Sequence, residues 1–149
     1  MCNAGVYLDR DLGLESTYGS KWADSFAVNV EGVFHTVQAF LPAVEAAGGK
    51  IAIISSQMGS SERARGRSYV YRASKAAAVN LGRNLAVDLK DRGIPVGIYH
   101  PGWVRTAMGG ADADLDEGTS AAGLMARFEA LGPETTGCFE NYDGARMPF

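Results

Sequence analysis

The chain is poor in the residues that build metal centres and disulfide frameworks: among 149 residues there are two cysteines, Cys2 and Cys138 at opposite ends, and two histidines, His35 and His100. Two thiols without a flanking pattern suit a reducing compartment better than a disulfide scaffold, and so few soft ligands leave no expected metal site. Charge of one sign is also lacking. Fourteen Lys and Arg stand against seventeen Asp and Glu, a formal charge of -3 with neither sign gathered into a run, so nucleic acid is not an expected partner. No window reaches the roughly 18 uninterrupted apolar residues of a membrane span, and Met1-Cys2-Asn3-Ala4-Gly5 is not the basic-then-apolar opening of a secretory signal. A soluble, cytoplasmic protein with no membrane partner is expected. Finally, although the chain carries 19 glycines, no two are spaced G-x-G, so these residues hold no Gly-rich turn of the kind that cradles a pyrophosphate.

What is present is an ordinary globular composition, 46% apolar and 21% charged, which fits one domain spanning 1–149. An α/β nucleotide-binding domain commonly runs to ~200 residues or more, so the length matches only part of one. After a loop to Gly19, Ser20 reads as an N-cap, and Phe26, Val30, Val33, Phe34, Val37, Phe40, Leu41 and Val44 recur at helical spacing. This predicts a long helix to about Ala47, kinked or broken near Pro42. Ile51-Ala52-Ile53-Ile54 reads as a strand buried on both faces. A polar loop, Gln57 to Arg67, precedes a second helix from about Ser68 to Asp91, stopped by Gly93. Val96 to Tyr99 reads as a second buried strand, Ser120 to about Leu131 as a third helix, and Gly137 to Tyr142 as a last short strand. Helices alternating with strands predict a parallel α/β sheet with right-handed crossovers.

Tyr71 and Lys75 stand four apart near the start of the second helix, so they share a face. A phenol with an ordinary pKa of about 10 is a poor acid or base at neutral pH; an ammonium nearby favours the phenolate and brings it towards the working range. Ser56, at the end of the preceding strand, is placed to donate a hydrogen bond to a substrate oxygen. Ligands of open α/β sheets sit outside the carboxyl ends of the strands, where Ser56 and Pro101-Gly102 both fall. Arg63, Arg65 and Arg67 read as a solvated loop face in preference to the border of a substrate entrance.

In order along the chain, Asn3-Ala4-Gly5, Asn29, Ser55-Ser56, Tyr71-Arg72-Ala73-Ser74-Lys75 and Pro101-Gly102-Trp103-Val104-Arg105-Thr106 resemble the second half of the short-chain dehydrogenase/reductase pattern. The wording Ser55-Ser56-Gln57-Met58-Gly59-Ser60 and His100-Pro101-Gly102-Trp103 is most similar to the C-factor-like and carbonyl-reductase-like branch. The resemblance implies a Rossmann-like parallel sheet with helices on both faces, in which this chain is the C-terminal, catalytic portion and lacks strands one to four and the Gly-rich turn. It implies Tyr71 as catalytic acid/base, Lys75 on the nicotinamide ribose and lowering the Tyr71 pKa, Ser56 orienting the carbonyl, and Asn29 holding a water that links Lys75 to solvent. Asn3, Ala4 and Gly5 would contact the adenosine side of an NADP or NAD cofactor, with a slight tilt to NADP. Pro101, Gly102, Val104 and Thr106 would line its nicotinamide end. The implied activity is oxidoreduction of a small carbonyl compound or secondary alcohol, the alternative being a non-catalytic C-factor-like signalling or interaction protein. A homo-oligomer is also expected, because the helices present resemble those of the family's dimer interface and because loss of the fourth strand would leave Ile51 to Ile54 as an exposed edge.

Overall fold

A computed structural model describes residues 1–149. Three parallel strands, β1 (Ile51–Ile54), β2 (Val96–His100) and β3 (Phe139–Asn141), form one sheet in the order β1-β2-β3. The register pairs Ile51 with Val96 and Ile98 with Phe139. The helices are α1 (Lys21–Phe26), α2 (Gly32–Ala46), α3 (Tyr69–Asp88) and α4 (Glu117–Ala130). No helix is long and apolar enough to cross a membrane.

Side-chain alternation along the strands decides which helix lies on which face. Ile51, Ile53 and Val96 point to one face and pack with Val33 and Val37 of α2 and Ala86 of α3. Ala52, Ile54 and Tyr99 point to the other and pack with Leu124 of α4, so helices cover both faces. Because α3 and α4 connect successive strands of a sheet that grows in one direction, yet lie on opposite faces, the two crossovers have opposite hands. The expectation of right-handed crossovers throughout therefore fails at one of them. The long segment 101–116 carries the chain from the end of β2 to the opposite face.

Several boundaries differ from the sequence reading. The first helix runs through Pro42 unbroken; Pro42 lies on the exposed side, where water can satisfy the carbonyl that loses its donor. The interruption comes earlier, at a π-helical turn over Ala27–Glu31 between α1 and α2. Ser20 makes no capping bond to the backbone; its hydroxyl donates to Asp24 instead, at 2.6 Å. α4 begins at Glu117 rather than Ser120 because Asp116 caps it, accepting from Thr119 N–H at 2.8 Å. The free edge of β1 is not bare either. Cys2 bridges to it, donating its N–H to Ala52 and accepting from Ile54 at 2.8 and 2.9 Å, and all four β1 residues are buried.

Candidate active site

At the carboxyl ends of β1 and β2, between the first turn of α3, the segment following Met1 and the 101–116 segment, lies a cleft of about 930 Å3. Ser56, Tyr71, Lys75, Asn3, Ala4, Gly5, Pro101, Gly102, Val104 and Thr106 all line it. Of the residues singled out in the sequence, only Asn29 lies behind the wall. Arg63, Arg65 and Arg67 are exposed and do not line it, although Arg63 donates to Oε1 of the lining residue Gln57 at 2.9 Å.

The chemistry-bearing wall is built on α3. Tyr71 and Lys75, one turn apart, are both buried. The Lys75 ammonium donates to Ile54 O at 3.2 Å and lies 5.8 Å from the centre of the Tyr71 ring. No carboxylate lies within salt-bridge reach of it, the one ion pair of the chain being Arg92 with Glu45. Burial without a counter-charge lowers the Lys75 pKa to about 8. The Tyr71 phenol moves the other way from what was expected. Burial pushes it above its ordinary value and a hydrogen bond with Ser56 only partly opposes this, while Lys75 is not among the groups that move it. Desolvation thus outweighs any help from an ammonium that is itself made easier to neutralise.

Ser56 is positioned by a short 3-10 turn, Gln57–Gly59, in which its hydroxyl accepts from Met58 N–H at 3.1 Å. Gly59 permits this turn to lie on α3: a Cβ there would come within 2.7 Å of the Lys75 carbonyl. Ser55 locks the same junction by donating to the Lys75 carbonyl at 2.9 Å. Neither constraint carries a sequence signal beyond a serine pair and one glycine among many.

Asn29 sits in the π-helical turn, fully buried. Its Oδ1 accepts from Val6 N–H at 2.8 Å, and its Nδ2 donates to Val6 O at 3.0 Å and Ser74 Oγ at 2.9 Å. Ser74 in turn donates to Tyr71 O at 2.9 Å. Asn29 is therefore the tie between the segment after Gly5 and the start of α3. A Cβ on Gly5 would lie 3.2 Å from Lys75 Nζ and 3.4 Å from Asn29 Oδ1, so the glycine keeps open the space that these two atoms share.

The sequence reading passed over Tyr7, Asp9 and Arg10, and took His100 as structural. The Tyr7 ring stacks on Tyr71, centroids 4.2 Å apart and planes at 21°, and Arg10 lies over Tyr7 at 5.0 Å while donating to Met108 O across the cleft mouth. His100 is buried at the end of β2, and burial lowers its pKa to about 4, so it is neutral at ordinary pH. Asp9 is buried against α3. The facing wall is apolar, with Trp103, Met108, Leu124, Met125 and Phe128.

Comparison with known proteins shows the family and the fold. Residues 1–116 match the family model described as short chain dehydrogenase. The chain is 36% identical over 129 residues to the C-signal of Myxococcus xanthus, covering 85% of this chain and 78% of that protein. It is also 36% identical over 122 residues to 1-hydroxy-2-glutathionyl-2-methyl-3-butene dehydrogenase of Rhodococcus sp. (strain AD45), covering 78% of this chain and 54% of that one. Among solved structures, the carbonyl reductase Sniffer of D. melanogaster superposes with a TM-score of 0.94 at 30% identity, covering 99% of this chain. An NADPH-bound carbonyl reductase from chicken fatty liver superposes with a TM-score of 0.90 at 28% identity. This chain spans 64% of the length of each of these two solved chains.

Proposed function

The chain belongs to the short-chain dehydrogenase/reductase family, and we propose that it interconverts a small carbonyl compound and the corresponding secondary alcohol with a nicotinamide dinucleotide. The observation that carries this reading is that Ser56, Tyr71 and Lys75 are buried yet open on one cleft. When bound, the nicotinamide cofactor supplies the hydride for reduction or accepts it for oxidation. In reduction the Ser56 hydroxyl donates a hydrogen bond to the carbonyl oxygen, and Tyr71 gives that oxygen its proton. A phenol held above its ordinary pKa is kept in the protonated form that this direction requires. Lys75 would hold the nicotinamide ribose through its ammonium, and the space over Gly5 between Lys75 Nζ and Asn29 Oδ1 would take a water that returns a proton from solvent.

The residues fit one end of the cofactor. Asn3, Ala4 and Gly5 on one side and Pro101, Gly102, Val104 and Thr106 on the other flank Lys75 along the cleft, and its buried ammonium has no competing carboxylate. They do not fit the pyrophosphate. Of the two helices that start beside the cleft, α3 already has the Asp9 carboxylate on its leading N–H groups, and α4 carries Asp116 and Glu117 at its N-terminus, where such carboxylates would repel a phosphate instead of receiving it. A preference for NADP over NAD is supported by the NADPH carried by one similar solved structure. Self-association is supported by Phe34, Phe40 and Val87, exposed on the outer faces of α2 and α3.

The test is cofactor-dependent reduction of an aromatic ketone followed by nicotinamide absorbance, with Tyr71→Phe as control. Absence of dinucleotide binding by calorimetry at millimolar concentration overturns the enzymatic reading. A second reading, a non-catalytic signalling or interaction protein, is supported by the C-signal likeness. The chain covers 78% of that protein against 54% of the Rhodococcus dehydrogenase. Biological activity that survives Tyr71→Phe and Lys75→Ala would favour it.

A further inference from the structure

Asp9 is the only buried carboxylate of the chain, with 0% of its surface exposed. A charged group this deep is costly unless it is paired or hydrogen-bonded. No cation lies within salt-bridge reach of it. Its partners are two backbone donors of the catalytic helix: Val70 N–H at 2.7 Å and Tyr71 N–H at 3.2 Å. The first turn of α3 needs such a partner. Ser68, the residue before the helix, is held in the left-handed region at φ 50° and makes no capping bond of its own, which would leave the leading N–H groups orphaned. A carboxylate is the best group for this place, because the N-terminal end of a helix carries partial positive charge.

The same short segment grips α3 at two further points. The Tyr7 hydroxyl bonds to Ser68 Oγ at 2.5 Å, and its ring lies against the Tyr71 ring. Asn29 joins Val6 to Ser74, and Ser74 holds the Tyr71 carbonyl. Tyr71 is thus fixed through its N–H, its ring and its C=O by residues that contact the segment 6–9. Only the grip on the N–H comes from a side chain whose partners all lie in the first turn of α3.

Resting on the dehydrogenase reading above, we propose that Asp9 is a positioning residue for Tyr71: its carboxylate caps α3 from a segment 61 residues upstream and sets where the phenol stands relative to Ser56 and Lys75. Removing it frees the first turn, lets Tyr71 sample positions away from Ser56, and admits water beside the phenol. A purely structural role would lower the melting temperature and leave turnover per folded molecule unchanged.

The experiment compares wild type, Asp9→Ala and Asp9→Asn well below their melting temperatures. It reads steady-state carbonyl reduction and, independently, titration of Tyr71 by phenolate absorbance against a Tyr71→Phe blank. Asp9→Ala is expected to lower kcat by roughly ten- to a hundredfold with the carbonyl KM changed less than about threefold, as expected for a misplaced proton donor. Its Tyr71 midpoint should fall towards the ordinary phenol value, since water entering beside the ring relieves the burial that raises it. Asp9→Asn keeps one acceptor oxygen and should lie between the two. It also separates position from charge, because the groups besides burial that move the Tyr71 phenol are Ser56, Tyr7 and Arg10, not Asp9. Unchanged kcat and an unchanged Tyr71 midpoint in both variants overturn the proposal. If wild type itself turns over no carbonyl, the dehydrogenase reading fails while the titration still decides the positioning of Tyr71. If Asp9→Ala does not fold, Asp9→Asn carries the same two comparisons.

Discussion

Two walls face each other across the cleft. On the wall of β1, α3 and the segment 3–10, Ser55 and Lys75, with Asn29 behind them, are buried, and each is tied by hydrogen bonds to another element. On the wall of segment 101–116 and α4, Trp103, Met108 and Met125 stand 48%, 37% and 55% exposed. The bonds of that segment are largely its own: Arg105 N–H to Leu115 O, Leu115 N–H to Trp103 O, and the Trp103 indole to Gly109 O. One wall fixes polar groups to within hydrogen-bond tolerance, as proton transfer requires. The other offers apolar surface that can change without disturbing the sheet, as selection among substrates requires. On the proposed function, the chemistry and the choice of substrate fall to different elements of the same chain.

The largest expected effect belongs to the first wall. Tyr71→Phe removes the proton donor while keeping the ring that stacks on Tyr7, so carbonyl reduction should fall by roughly 10^2- to 10^4-fold with the melting temperature little changed. A drop below tenfold would sink the assignment of Tyr71. Next comes Asn29→Ala, which leaves the Val6 N–H and carbonyl and the Ser74 hydroxyl without their buried partner. Denaturant unfolding should show a loss of about 2–4 kcal/mol, and an unchanged midpoint would mean that the two elements are not held together here.

The pH dependence of stability probes the buried ammonium. Lys75 releases its proton near pH 8 in the folded chain against 10.5 when free. Between these values the unfolded chain binds more protons, so stability contributed by this site rises with pH across that window, by at most about 3 kcal/mol. Tyr71 acts in the opposite sense above pH 10, where its raised phenol keeps a proton that the unfolded chain releases. Urea midpoints at pH 7 and pH 9.5 should therefore rise in wild type relative to Lys75→Met. Parallel behaviour of the two would show that the ammonium is hydrated. The smallest effect is on the second wall: Trp103→Ala and Met125→Ala should shift the KM of a bulky apolar carbonyl by roughly tenfold or less. Stability should stay within about 0.5 kcal/mol for such exposed positions. A large fall in kcat would show that this wall also positions the reacting groups.

The comparison also separates what could be read from the chain and what could not. The alternation of elements, the burial of both faces of Ile51 to Ile54 and the pairing of Tyr71 with Lys75 on one helix face are local properties. They follow from periodicities of two and of three to four residues, which survive without knowledge of the rest of the molecule. The order of short motifs likewise pointed to Ser56 and to the residues flanking Lys75, and all of them reach the cleft. Asp9 was invisible because its partner lies 61 residues away, and an Asp in a loop resembles any solvated acid. The π-helical turn at Asn29 was invisible because the apolar spacing around it remains helical, and the face taken by α4 because no local pattern records which side of a sheet a long connection will reach.

The sequence by itself determined the strands, the helices and the pairing of Tyr71 with Lys75 on one helix face, since each depends on near neighbours along the chain. The tertiary structure decided their state and their precision. It raised the Tyr71 phenol where adjacency to Lys75 argued for lowering it, because burial removes water from every group on that wall while the spacing of two residues on a helix says nothing about solvent.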